Sequence, residues 1–176
     1  MEADSSGHDS LPWYSGKTTA RFLAVQGAYS MMFSSYSVED LGELLEHLCE
    51  MRDVLGLAGR VDKKLLTKIL ESMLARHSEI DAKIAGYISE KWAMDRINLV
   101  SLSVMRTGVC ELLCCNTSES IIINEYVDIA SYTLEDAEVD FVNAVLNKAK
   151  LARLEHNAEM EAQLQQSCAT VKKLLV

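Results

Sequence analysis

The side chains of this chain that could do chemistry are five cysteines, four histidines and a few clustered cations. Cys110 and Cys114 are four apart and share one face if their segment is helical, with Cys115 beside them. Two thiolates make half a zinc site, but no C-x-x-C pair and no neighbouring histidine supplies the other ligands. A nucleophilic thiol needs a base next to it, and the sequence places none. Cysteine is also a small apolar residue, and burial is the reading the spacing favours. With Cys49 and Cys168 the count is five, an odd number that argues against a disulfide framework. His47 and His77 fall on separate segments without companion ligands, and His8 sits in a polar leader. The expectation is a protein with no catalytic residue, no metal and no cofactor.

Binding chemistry is better represented. Lys17 and Arg21 are one helical turn apart and would project from the same face of a first helix. Lys63, Lys64 and Lys68 form the densest basic cluster and are a second candidate for phosphate contact, although such a face is more often only solvated. Both sets stand in a chain with a formal net charge of -9, so long-range attraction works against a polyanion.

The elements that position these groups read as helices. Ile97, Val100, Val104, Met105, Gly108, Val109 and Leu112 recur at steps of three and four, as do Ile122, Ile123, Tyr126, Val127 and Ala130, and then Phe141, Val142, Val145, Leu146 and Ala149. That period decides against a strand for the β-branched run Ile121 to Ile123. Upstream, a first helix is expected from about Lys17 to Phe33, burying Leu23, Ala24 and Ala28, with Gly27 at a close crossing. Ser37 and Asp40 form a capping box for a second helix with the stripe Val38, Leu41, Leu44, Leu45, Leu48 and Leu55, ended by Gly56 and Gly59. A third spans about Val61 to Arg76 over Leu66, Ile69, Leu70 and Met73. Ser78 is expected to cap a short fourth over Ile80, Ile84 and Ile88. Arg106 and Glu111 lie off the stripe of their helix and need partners elsewhere, with Asn124 or Glu125 the nearest.

Several motifs in these helices occur together in one family. Trp92-Ala-Met-Asp95-Arg96, Val104-Met-Arg106-Thr-Gly-Val-Cys-Glu111-Leu, Ile122-Ile-Asn124-Glu125-Tyr-Val-Asp128-Ile-Ala130, Glu135-Asp136 and Phe141-Val-Asn143-Ala-Val-Leu146 follow one another in order. A further match runs from Ala20-Arg21 through Ala24-Val-Gln26 to Tyr29. Together they resemble the NusB family of bacterial transcription antitermination factors over roughly residues 17 to 150. The resemblance implies an all-α, NusB-like helical bundle of about seven helices in two packed sub-bundles, with the helix of Arg106 at the centre.

It also implies a function that is not enzymatic. Proteins of this family bind the boxA segment of ribosomal RNA together with NusE, a small-subunit ribosomal protein, and work with other Nus factors and RNA polymerase. Carried onto this sequence, Lys17, Arg21 and Phe141 fall on RNA-binding positions, and Tyr29 and Asp136 on NusE-binding positions. The chain departs from the family at two places. The arginine-rich start of the first helix is reduced to Lys17 and Arg21 around Thr18 and Thr19, and the basic residue before the Phe-Val-Asn motif is Asp140. Two phosphate contacts on a single strand give a slope of log K against log salt of only about 1.4. Stacking on Phe141, worth about 1 to 3 kcal/mol per base, would carry much of the rest. An alternative follows: a protein-interaction module that keeps NusE and has little RNA affinity.

The remaining sequence sets the frame. One proline and eight glycines in 176 residues, with 49% hydrophobic content, suit one compact helical domain. No apolar run reaches the roughly 18 residues of a membrane span, and the start lacks the basic residues of a secretory signal, so no membrane is expected and the location is cytoplasmic. Residues 1 to 16 read as a disordered acidic leader, and residues 151 to 176 as a helical C-terminal extension of the domain at 17 to 150. The apolar stripe of the extension, Leu151, Leu154, Ala158, Leu164, Cys168 and Val171, is interrupted at Glu161. It is open to packing on the body or to pairing with a second chain, so a homodimer is possible.

Overall fold

The computed structural model describes residues 15–54, 59–89 and 93–174, and every regular element among them is helical. The leader through Tyr14, with His8 and Trp13, and Leu55, Gly56 and Trp92 lie outside the described residues. In order, α1 spans Gly16–Ser30, α2 Leu41–Val54, α3 Lys63–Tyr87, α4 Leu99–Cys114, α5 Glu119–Ser131 and α6 Asp136–Leu174, with 3-10 turns at Val38–Asp40 and Met94–Arg96. The chain divides into two compact units between Ala75 and Arg76.

In the first unit α1 starts at Ser15, whose hydroxyl accepts from the Thr18 amide at 3.0 Å, a cap that satisfies one of the free donors of the first turn. Leu23, Ala24 and Ala28 are buried as the periodicity predicts. At Gly27 an added Cβ would lie 2.8 Å from Leu70 Cδ2 and 3.2 Å from Leu48 Cδ1, so α2 and α3 close on α1 at this glycine. The capping box is formed, with the Ser37 amide donating to Asp40 Oδ2 at 2.7 Å and the hydroxyl donating to the same oxygen at 2.9 Å. It opens a 3-10 turn that feeds α2, and Val38, expected in the stripe, is 48% exposed there. Gly59 has φ 121°, a left-handed conformation that suits a residue without Cβ.

The third and fourth expected helices form one continuous segment, α3. Only Arg76, at φ -126° and ψ 19°, leaves helical geometry within it. The break falls where the third helix is expected to end and just ahead of Ser78, so the two expected helices lie on either side of it, although no glycine or proline between Lys63 and Ala85 marks the place.

In the second unit α4, α5 and α6 pack pairwise on one another. Asn98 caps α4, its Oδ1 accepting from the Val100 amide at 2.8 Å, so Ile97 is buried just ahead of the helix rather than in it. Every residue of α4 from Ser101 to Leu112 except Arg106 is buried. The single-stripe reading of this helix is thus too narrow, because it is covered nearly all round. Gly108 makes room for that, since an added Cβ would sit 2.7 Å from Leu146 Cδ2 and 3.3 Å from Tyr126 Cδ2.

The two charged residues of α4 find partners other than Asn124 and Glu125. Arg106 donates through Nε and Nη2 to the two carboxylate oxygens of Asp81 on α3, at 2.7 and 2.8 Å. Glu111, fully buried, accepts from Tyr126 Oη on α5 at 2.7 Å. A bidentate guanidinium needs a planar carboxylate facing it, which Asp81 supplies from across the bundle. The tyrosine is itself fully buried and its hydroxyl has to donate somewhere. We expect Tyr126→Phe to leave the Glu111 carboxylate without this donor and to cost on the order of 1 to 3 kcal/mol. Denaturant unfolding should then show a lower midpoint with the helical circular dichroism of the native state unchanged.

Candidate nucleic acid and protein interface

Lys17, Arg21 and Tyr29 all stand on α1 of the first unit. Lys17 is exposed in the first turn. Arg21 shares its side of the helix but is only 2% exposed and has interactions of its own, so the pair does not present two open charges. A guanidinium is buried only with partners to satisfy it, and this one is held in the fold. Tyr29, two turns further on, is 37% exposed and packs its ring against that of Phe33, 65% exposed, with centroids 5.1 Å apart and planes tilted by 53°. This aromatic pair near the end of α1 is an open apolar patch, of which the family resemblance singles out Tyr29 but not Phe33. Lys63, Lys64 and Lys68 are exposed on the opening turns of α3.

Asp136 and Phe141 stand at the start of α6 in the second unit. Asp136 is its first residue and is exposed, with Glu138 beside it in an acidic first turn that the helix dipole favours. Asp140 is exposed as well. Phe141 is half-buried and already in contact with other residues, so its ring is a core side chain with one accessible part. Val142, Val145, Leu146 and Ala149 are buried behind it, as the periodicity predicts.

Nothing in this arrangement is a reaction centre. Cys114 Sγ lies 3.5 Å from Cys115 Sγ, and the hydrogen bond from Cys114, followed by burial, pushes the Cys110 thiol far above its ordinary range. A thiol held neutral is a poor nucleophile and a poor ligand. Among the described residues no group of three or more histidine, cysteine, aspartate or glutamate side chains could hold a metal ion.

Among the described residues the fold is an all-α helical bundle with exposed lysines on the opening turns of α3, an exposed aromatic pair at Tyr29 and Phe33, and an acidic first turn on α6. The model of the NusB family matches residues 18–150, about three quarters of the chain, and the protein belongs to that family. The family is not one of enzymes, and this chain is not an enzyme. It is similar to the transcription antitermination protein NusB of Caulobacter vibrioides, 29% identical over 134 residues, 74% of this chain and 89% of that protein. The NusB of Novosphingobium aromaticivorans is 30% identical over 135 residues, 74% of this chain and 90% of that one. Among solved structures, the crystal structure of antitermination factors NusB and NusE in complex with dsRNA matches with a TM-score of 0.63 at 22% identity, covering 78% of this chain and 97% of that chain. A Thermotoga maritima NusB, described as T. maritima NusB in crystal form P3121, matches at 0.59 and 23% identity, over 80% of this chain and 91% of that one. No described helix is long and apolar enough to cross a membrane.

The thiols give a direct check on the site chemistry. Iodoacetamide should alkylate exposed Cys168 readily in the native protein and should reach Cys110 only after denaturation, as read by peptide mass mapping.

Proposed function

We propose that this chain is an RNA-binding transcription antitermination factor that binds boxA RNA of ribosomal RNA operons together with NusE. The observation that carries the reading is family membership over residues 18–150, in a chain whose NusE-position residues, Tyr29 and Asp136, are both exposed. Other Nus factors and RNA polymerase complete the complex. In this reading Lys17 touches a phosphate and the accessible part of Phe141 stacks on a base, while buried Arg21 supports α1 from within. Acidic Asp136 and the Tyr29–Phe33 pair face a basic ribosomal protein, where charge complementarity speeds and orients the encounter.

The second reading, an interaction module that keeps NusE and has little RNA affinity, is favoured by one specific observation. Arg21 is closed off and Asp140 is exposed where the family carries a basic residue, so the family's RNA positions offer a single open cation. Fluorescence anisotropy with labelled boxA RNA, with and without NusE, separates the two. We expect weak binding by the isolated protein and tight binding of the pair, because NusE brings positive surface. Lys17→Gln should lower the salt slope of the pair by about 0.7. Arg21→Ala should lower the melting temperature before it changes that slope. An RNA affinity of the pair no greater than that of NusE alone would leave the second reading standing. Asp136→Asn should weaken NusE binding by up to about 1 kcal/mol in calorimetry without loss of helix.

A further inference from the structure

The second unit holds a polar groove apart from the residues carried over as RNA-binding and NusE-binding. It has a volume of about 390 Å³ and is bounded by the end of α3, the C-terminal end of α4 and the part of α6 around Arg153 and His156. Its polar lining includes Arg76, Lys83, Tyr87, Asn116, Arg153 and His156. The charges are unequally used. Arg76 is engaged by Glu79 at 2.8 Å through both Nε and Nη2, and the hydrogen bond from Arg76 holds the Glu79 carboxyl below its usual range. Arg153 donates to the carbonyls of Cys115 and Thr117 and pairs with Glu119 at 3.2 Å, which fixes the wall of the groove and leaves that guanidinium little to offer a ligand. Lys83 is different. Half-exposed, it has no hydrogen bond or ion pair among the described residues and acts on Glu79 only at a distance. His156 is exposed on the wall that α6 forms, next to Asn157.

We propose that this groove binds the phosphates of an RNA strand, with Lys83 as the direct cationic contact, His156 and Asn116 as further donors, and Arg76 and Arg153, each paired with a carboxylate, holding its walls. The inference rests on the RNA-binding reading and deepens it. Val109 and Leu112 form an apolar floor, and charge acts more strongly beside such a wall than in open water. The groove, at about 390 Å³ and lined from three helices, is larger than one phosphate group and suits a chain of them. Arg153 and His156 lie beyond residue 150, where the match to the family ends, so the groove is built partly by this chain's own extension. The chain thus has cations in the second unit while Asp140 occupies the position where the family is basic.

Anisotropy with an oligoribonucleotide carrying boxA and its downstream flank, with NusE present, tests this. We expect Lys83→Gln to weaken binding several-fold and to lower the salt slope by about 0.7, and His156→Gln to weaken it further, with melting temperatures unchanged. An RNA that lacks the flank should lose the sensitivity to Lys83 and keep the sensitivity to Lys17. If the native pair binds the long RNA and Lys83→Gln binds it with the same affinity and slope, the groove proposal is overturned and the proposed function stands. If the native pair binds no RNA, both fall. Displacement of the RNA from the Lys83-dependent contact by inorganic phosphate or a mononucleotide at equal concentration would overturn the strand in favour of a small anion.

Discussion

Burial of α4 on nearly every side is the constraint on which the second unit depends. A helix covered all round cannot leave a polar side chain facing water, so each one on it has to be answered by a neighbour. Ser103 and Thr107 turn their hydroxyls back to the carbonyls one turn earlier, at 2.7 Å in both cases. Glu111 is answered by Tyr126 and Arg106 by Asp81, which ties α5 and the second half of α3 to the same helix. Ser101 is the exception, its hydroxyl buried without a hydrogen bond among the described residues. Because Tyr126 also presses against Gly108, one ring serves packing and hydrogen bonding at once, and neither can be changed alone.

The period of the apolar residues was enough to place five of the six helices, since burial of one face per helix is what that period records. It marked the buried positions Val142, Val145, Leu146 and Ala149 of α6, but on α1 it found Leu23, Ala24 and Ala28 and missed Thr19, Ala20, Arg21 and Val25. It was less informative where burial is not confined to one face: α4 was read as a striped helix, and its charged residues were assigned to the nearest segment instead of to Asp81, 25 residues upstream. Pairing across a bundle leaves no local pattern to read. The break in α3 at Arg76 was legible, because the apolar stripe of Leu66, Ile69, Leu70 and Met73 ends just before it and that of Ile80 and Ile84 begins just after it. Site residues carried over by resemblance kept their places on α1 and α6, but exposure is a property of the neighbours, and Arg21 is closed off by contacts that its own segment does not announce.

The surface divides its work between different kinds of chemistry. Acidic and aromatic groups suit a basic protein, and they cost little to keep exposed in a chain of net charge -9. Cations are fewer than carboxylates, and several are committed to the fold: Arg106 and Arg153 hold helices together, Arg76 holds Glu79, and Lys148 donates to the Tyr87 carbonyl at 2.6 Å. What is left for a polyanion is a small number of lysines in separate places, which makes any nucleic acid affinity sensitive to salt and to the partner that completes it.

The long α6 also has a consequence for the order in which the second unit is assembled. Its guanidinium at Arg153 satisfies carbonyls at Cys115 and Thr117, which are 38 and 36 residues earlier in the chain. During synthesis the α4–α5 turn leaves the ribosome well before the residue that closes it, and water has to solvate those carbonyls in the meantime. Contacts between α4 and α5 are local and can form as they emerge, whereas the latch at Arg153 waits for the first half of α6. The turn is therefore made well before the residue that locks it.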